Sequence, residues 1–320
     1  MEGITVGVFG TEQDTKAAFL SSVAKKAEVE GITVFHRLEG GRRCSFLDTT
    51  DYPDRVQGYS RIASIADHAL YMFPKSGKLS APDGELAVLL GSFGLPGALE
   101  LVDGSVMPSA AASALKGTTV AAYEAEERAS ASAAIDLSKV GARQDWPSKG
   151  TLVYVDRSFS VKGVGTVALG FVLSGSLAIH DQLRGVPGPA GKQIDVKGIQ
   201  VNDVDVDSVG RGIRVGLSLR GVEAKDLYKT CWLDDGSFTL TDAPTFKVAK
   251  SPFYKQDIVG RDLHLQFPGE ILTATLAESG PGIIKASLPV QVPVWEGMRT
   301  AIVDLNGKGL RVAGGATFLK

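Results

Sequence analysis

Asp156-Arg157-Ser158-Phe159-Ser160-Val161-Lys162-Gly163-Val164-Gly165-Thr166-Val167 carries glycines at set positions in a strand-forming run, with Gly170 and Gly175 following. In small barrels, glycines placed this way mark bulges and corner turns. Most of them are therefore assigned to architecture rather than to chemistry. From Gly150 onward the sequence is rich in valine and glycine. Strands of about five to eight residues alternate with Gly, Pro, Asn and Asp, the pattern of an all-β sandwich or barrel. Asp234-Asp235-Gly236 marks a further boundary, and Val186-Pro187-Gly188-Pro189 reads as a surface turn.

Upstream the pattern is different. Apolar strands alternate with amphipathic helices, as in a parallel α/β sheet. Strands are expected at Ile4 to Phe9, Ile32 to Leu38, Arg43 to Asp48, Ala69 to Phe73 and Ala98 to Val102, with Val120 to Glu124 closing the sheet. Gly40-Gly41 supplies a hairpin turn. Helices are expected at Thr15 to Lys26, Asp83 to Leu90, Ser109 to Leu115 and Ala129 to Leu137. Another opens at Pro53, where Val56, Tyr59, Ile62 and Ile65 recur at helical spacing.

The chain has 320 residues, too many for one ordinary core and enough for two or three domains. A net charge of −2 gives no global field for nucleic acid, so RNA contact must rest on local patches. Cys44 and Cys231 build no disulfide framework, which fits a reducing compartment. The four histidines make no metal spacing with them, and no run of about 18 apolar residues occurs. A cytoplasmic protein is expected, with no membrane and no DNA partner.

Gly10-Thr11-Glu12-Gln13-Asp14-Thr15-Lys16-Ala17 lies between a strand and a helix. It suggests a phosphate-binding loop, whose full motif is G-x-x-x-x-G-K-[ST]. Gly10 and Lys16 fit. Thr15 replaces the second glycine, and Ala17 lacks the hydroxyl that would meet magnesium. Glu12 and Asp14 place negative charge where a polyphosphate would sit. An ion pair between Lys16 and Asp48 is the preferred reading of these residues.

Phe46-Leu47-Asp48-Thr49-Thr50-Asp51-Tyr52-Pro53-Asp54 resembles the D-x-P-G-H segment of translational GTPases. The resemblance implies that Asp48 stands at the magnesium-supporting position. Asp51 replaces the glycine that senses the γ-phosphate, and Tyr52 replaces the water-positioning histidine. Asp103-Gly104-Ser105-Val106 matches the base-reading N-K-x-D, with a valine where guanine is recognised.

The quoted stretch from Asp156 to Val167 resembles the opening of the second domain of the translation elongation factors EF-Tu and SelB, which has an aromatic followed by G-x-G-T-V. Gly212 to Gly221 resembles the closing strand of that domain, Asp195 to Gln200 a strand typical of SelB, and Gly307 to Gly315 the end of the third SelB barrel. The resemblance implies a degenerate P-loop GTPase-like α/β domain at 1–146, an EF-Tu domain 2-like barrel at 147–235 and a C-terminal barrel at 236–320.

By the same resemblance, Asp156, Arg157, Phe159 and Arg214 are candidates for the aminoacyl end of tRNA. Lys247, Lys250, Arg299, Lys308 and Arg311 are candidates for RNA backbone. Gly10, Thr15, Lys16, Asp48 and Asp51 are a vestigial nucleotide site. No catalytic residue, cofactor or metal is expected. tRNA or another RNA, together with the ribosome, are the expected partners. A working GTP- and magnesium-dependent factor with an atypical pocket is one alternative, and a protein-binding regulatory scaffold is another.

Overall fold

The computed structural model describes residues 2–39, 41–102, 106–128, 140–141, 143, 145–147, 149–188, 192–227 and 232–319. The expected helix from Ala129 to Leu137, the 103–105 part of the base-reading match and Cys231 lie outside them.

The first unit is a seven-stranded sheet. In chain order its elements are β1 (Gly3–Phe9), α1 (Gln13–Val23), β2 (Lys25–Glu30), β3 (Ile32–Glu39), β4 (Arg42–Asp48), α2 (Gln57–Ile65), β5 (His68–Met72), α3 (Ala81–Phe93), β6 (Gly97–Val102), α4 (Pro108–Ala114) and β7 (Glu124–Arg128). The strand order is β2-β3-β4-β1-β5-β6-β7. β4, β1, β5, β6 and β7 run parallel, and β2 and β3 add an antiparallel end. β1 and β5 are buried along their whole length, as the central strands of a sheet covered on both faces must be.

Four expectations shift. α1 ends at Val23, and Lys25 and Lys26 begin β2 instead of extending the helix. α2 begins at Gln57, because the turn at 51–55 is used to dock the third unit. Thr119–Ala122 is a short 3-10 turn that buries Val120. The closing strand is the acid-rich β7, an edge strand whose solvated side needs no apolar run. α3 is longer than expected and opens with a reciprocal cap between Ser80 and Asp83.

The second unit closes as a barrel of strands Gln182–Val186, Trp232–Asp234, Leu152–Val161, Gly165–Ser174, Arg214–Arg220 and Ile194–Val201, the last pairing back to the first. The third is a closed barrel of Thr245–Lys250, Ile283–Ser287, Ile271–Gly280, Asp262–Gln266, Arg299–Val303 and Val312–Leu319. Closure removes the sheet edges that would otherwise template aggregation.

The three units are packed together by specific contacts. Gly3 N donates to Arg211 O at 2.9 Å, and the Arg211 guanidinium pairs with Asp67. A Cβ on Gly3 would collide with the Gly212 carbonyl, so only glycine permits this approach. Trp232 Nε1 donates to Pro268 O at 2.7 Å between the barrels. Gly269 N donates to Ser64 Oγ at 2.8 Å, tying the third unit to α2. Trp146 and Trp295 stack with centroids 5.3 Å apart, so these tryptophans act as packing anchors.

Candidate functional site

The loop from Gly10 to Glu12 joins β1 (Gly3–Phe9) to α1 (Gln13–Val23), as a phosphate-binding loop would. Lys16 lies in the first turn of α1 and points inward, with no exposure. Its Nζ is 2.7 Å from Asp48 Oδ1, at the end of β4, and 3.3 Å from Thr49 O. It also donates to the Tyr59 hydroxyl, presented by α2. An ammonium has three donors, and these three oxygens take them.

Tyr59 is fully buried, and its own proton is directed at Gly10 O and Asp48 Oδ1, each 3.1 Å away. Its ring is wedged between Phe9 at 5.1 Å and Tyr52 at 5.2 Å. Burial pushes the Lys16 ammonium below its usual range, against the upward pull of Asp48. Burial and the Asp48 charge push the Tyr59 hydroxyl well above its ordinary range, so it stays protonated.

Glu12 of the loop is also engaged. Glu12 accepts from Lys75 N at 3.0 Å and from Thr15 Oγ1 at 3.1 Å, folding over the loop. Thr11 Oγ1 donates to Asp83 at 2.6 Å. Asp51 is exposed, and its backbone amide lies 3.4 Å from Thr49 Oγ1. Tyr52 is buried and donates to Pro82 O at 2.6 Å, beside Glu85. Among the described residues no cluster of three or more His, Cys, Asp or Glu could hold a metal ion.

A crevice of about 210 Å³ separates the first two units. β3 contributes Ile32 and Val34, and α2 contributes Arg61. The barrel of the second unit contributes Asp156, Arg157 and Arg214 with the rings of Tyr154 and Phe171. The local reason lies in a register shift. Val155 pairs with Gly170 and Arg157 with Leu169, so Asp156 is the extra residue of a β-bulge. A Cβ on Gly170 would collide with the Tyr154 carbonyl, which explains the glycine opposite the bulge. The bulge turns Asp156 toward Arg214, whose Nη2 lies 2.8 Å from its Oδ2. The Arg214 guanidinium also covers the Phe171 ring at 5.4 Å.

Three guanidiniums thus line the crevice against one carboxylate. Glu270 also feels Arg61, but burial pushes its carboxyl up against that pull. His36, near Arg214, is held at about 4 by burial and by the charges of Arg214 and Arg43, and is therefore neutral at pH 7.

Asp156, Arg157 and Arg214 come together as the sequence reading expected. Phe159 does not line the crevice and stands 36% exposed further along the strand. Lys247 and Lys308 are exposed on the third unit, and Lys250 and Arg299 face a separate cavity against α3. Arg311 has another task. Its guanidinium grips Glu85 through Nε and through Nη2 at 2.6 Å, and donates to Pro53 O and Asp54 O. Those donors are occupied within the chain, so Arg311 is a tie between units rather than a backbone contact for RNA.

Tyr59 and Arg61 were missed by the sequence reading. The helical spacing of Tyr59 announced a buried face but not a hydroxyl aimed at Lys16. Nothing local marked Arg61, which reaches the crevice only because α2 packs between the sheet and the barrels.

No family model matches the chain. It is 26% identical to an uncharacterized protein of Methanocaldococcus jannaschii over 316 residues, 98% of this chain and 99% of that one. It is 34% identical to the selenocysteine-specific elongation factor of the same organism over 106 residues, 32% of this chain but only 22% of that protein. The translation elongation factor SelB from Methanococcus maripaludis, in complex with the GTP analogue GPPNHP, superposes with a TM-score of 0.80 at 20% identity, covering 100% of this chain and 79% of that one. No helix among the described residues is long and apolar enough to cross a membrane. The chain carries the fold of the SelB translation elongation factors, and its sequence match to SelB is consistent with a member of the EF-Tu and SelB family.

Proposed function

We propose that this protein is a SelB- and EF-Tu-like factor that holds the aminoacyl end of a tRNA, or a comparable RNA end, without binding or hydrolysing GTP. The observation that carries this reading is the buried cluster of Lys16, Asp48 and Tyr59. In a working phosphate-binding loop the lysine meets the β- and γ-phosphates. Here its three donors go to Asp48, Thr49 and Tyr59, while Glu12 folds over the loop. Ala17 offers no hydroxyl to magnesium.

These residues do not fit a nucleoside triphosphate and its metal. Each lost charge-assisted contact removes about 1.5–3 kcal/mol, against the roughly 8 kcal/mol of micromolar binding. The crevice supports the other half of the reading. Its cationic excess, aromatic walls and partial enclosure suit the anionic end of an RNA, and arginine forks match such groups in two-point contacts.

Titration of aminoacylated and deacylated tRNA, with and without GTP and magnesium at fixed salt, tests this. Tight binding of the charged form, unchanged by GTP, is expected. Binding that appears only with GTP would establish a working factor with an atypical pocket. No tRNA binding in either condition would favour a regulatory scaffold.

A further inference from the structure

A second cavity lies where the third unit meets the first, beneath the C-terminal half of α3. Its volume is about 340 Å³, within the range of small-ligand sites. One wall is α3 with the loop at 117–119, and the other is formed by barrel strands Thr245–Lys250 and Val312–Leu319. At Gly315 a Cβ would collide with the backbone of Ser92, so the barrel meets the helix backbone to backbone and the walls there are rigid.

The charged side chains of this cavity are of one sign. Lys250 and Arg299 are the charged side chains lining it, and no carboxylate does so among the described residues. Arg299 is held in place, because its guanidinium lies where a Cβ on Gly94 would be, against the C-terminal cap of α3. The negative end of the helix favours a cation there. Ser251 Oγ accepts the Phe253 amide at 3.3 Å and keeps its own proton to donate. Phe253 stands at the rim, 49% exposed, where a bare ring contributes nothing to the core.

The larger cavity between the two barrels, about 670 Å³, lacks this imbalance. Its Arg184 and Lys192 are already paired with Asp234 and Asp226.

We propose that the cavity between α3 and the third unit binds a small phosphorylated ligand of nucleotide type, a phosphate carried beside a planar ring. The phosphate lies between Lys250, Arg299 and Ser251, and the ring stacks on Phe253. A lysine and an arginine facing one space match a phosphate, and aromatic rings stack nucleobases without regard to sequence. No crevice residue lines this cavity, but Lys250 and Arg299 are also RNA-backbone candidates of the tRNA reading, and the oligoribonucleotide probe separates the two roles.

Calorimetric titration of the whole chain with inorganic phosphate, AMP, GMP and a short single-stranded oligoribonucleotide tests it. The monophosphates should bind at least about tenfold more tightly than phosphate, the worth of one stacked base. Lys250→Ala should weaken them about tenfold. Ala249→Trp, at an exposed strand position lining the space, should abolish binding while leaving the circular dichroism unchanged. Preference for the oligoribonucleotide would identify an RNA end as the source of the phosphate, and preference for the free monophosphates would identify a small molecule. Absence of binding by every probe at millimolar concentration, or binding indifferent to both variants, would overturn the proposal.

Discussion

Lys16 Nζ lies 2.7 Å from Asp48 Oδ1, with the lysine side chain wholly buried and the aspartate 9% exposed. The pair joins the first turn of α1 to the end of β4. Removing one member strands the other in a low-dielectric interior. Asp48→Ala should therefore cost about 3–5 kcal/mol, and the double variant Lys16→Met with Asp48→Leu should recover much of that loss. Urea unfolding of the three proteins measures both effects. A double variant no better than the single one would show that the pair is not the source of the loss.

Tyr59→Phe preserves the ring between Phe9 and Tyr52 but removes the oxygen that receives a Lys16 proton. A buried donor left without its partner costs about 1–3 kcal/mol. The same denaturant series should show this loss with an unchanged m-value, because the surface exposed on unfolding is unaltered.

Arg311 clamps Glu85 of α3 and the carbonyls at Pro53 and Asp54. The arginine is 17% exposed and Glu85 only 4%, so the contact is mostly screened from water. Arg311→Ala should lower stability by about 2–4 kcal/mol and speed proteolysis within residues 50–56. Arg311→Lys should rescue less than half of it, since an ammonium cannot reproduce the two-point grip. Equal protease resistance in all three proteins would remove the clamp from the account.

His68 is buried in β5, its Nδ1 has no hydrogen-bond partner among the described residues, and burial holds it at about 4. His36 is held at about 4 as well. Unfolding returns both to the ordinary histidine value near 6.5. Between those values the unfolded chain binds more protons than the folded one. Stability should therefore be flat above about pH 6.5 and fall as pH drops toward 4, by up to about 1.4 kcal/mol per pH unit for each histidine. His68→Gln should reduce that slope by about half over the same window, because His36 still titrates. Unfolding curves collected from pH 7.5 to 4.5 decide it.

Arg61 reaches the crevice from α2 and so belongs to the proposed RNA-end site as much as the barrel residues do. Arg61→Ala should weaken tRNA binding about tenfold and reduce the slope of log affinity against log salt by nearly one. An unchanged salt slope would mean that Arg61 meets no phosphate.

The order of the three units, the glycine-marked barrel of the second and the substitutions in the nucleotide motif can be read from the sequence alone. These are local matters. Strand period, turn chemistry and the missing hydroxyl at Ala17 can be read within a few neighbouring positions, and so could the Lys16–Asp48 pair, because both ends sit in recognisable segments. Other features depended on elements distant in the chain meeting in space. Tyr59 completes the lysine cluster only because α2 lies against β1 and β4. Asp156 faces Arg214 only because a bulge opposite Gly170 turns it. Arg311 is a clamp rather than an open cation only because the third unit seats on α3. A side chain's partner is fixed by packing across distant segments, and no periodicity within one segment encodes it.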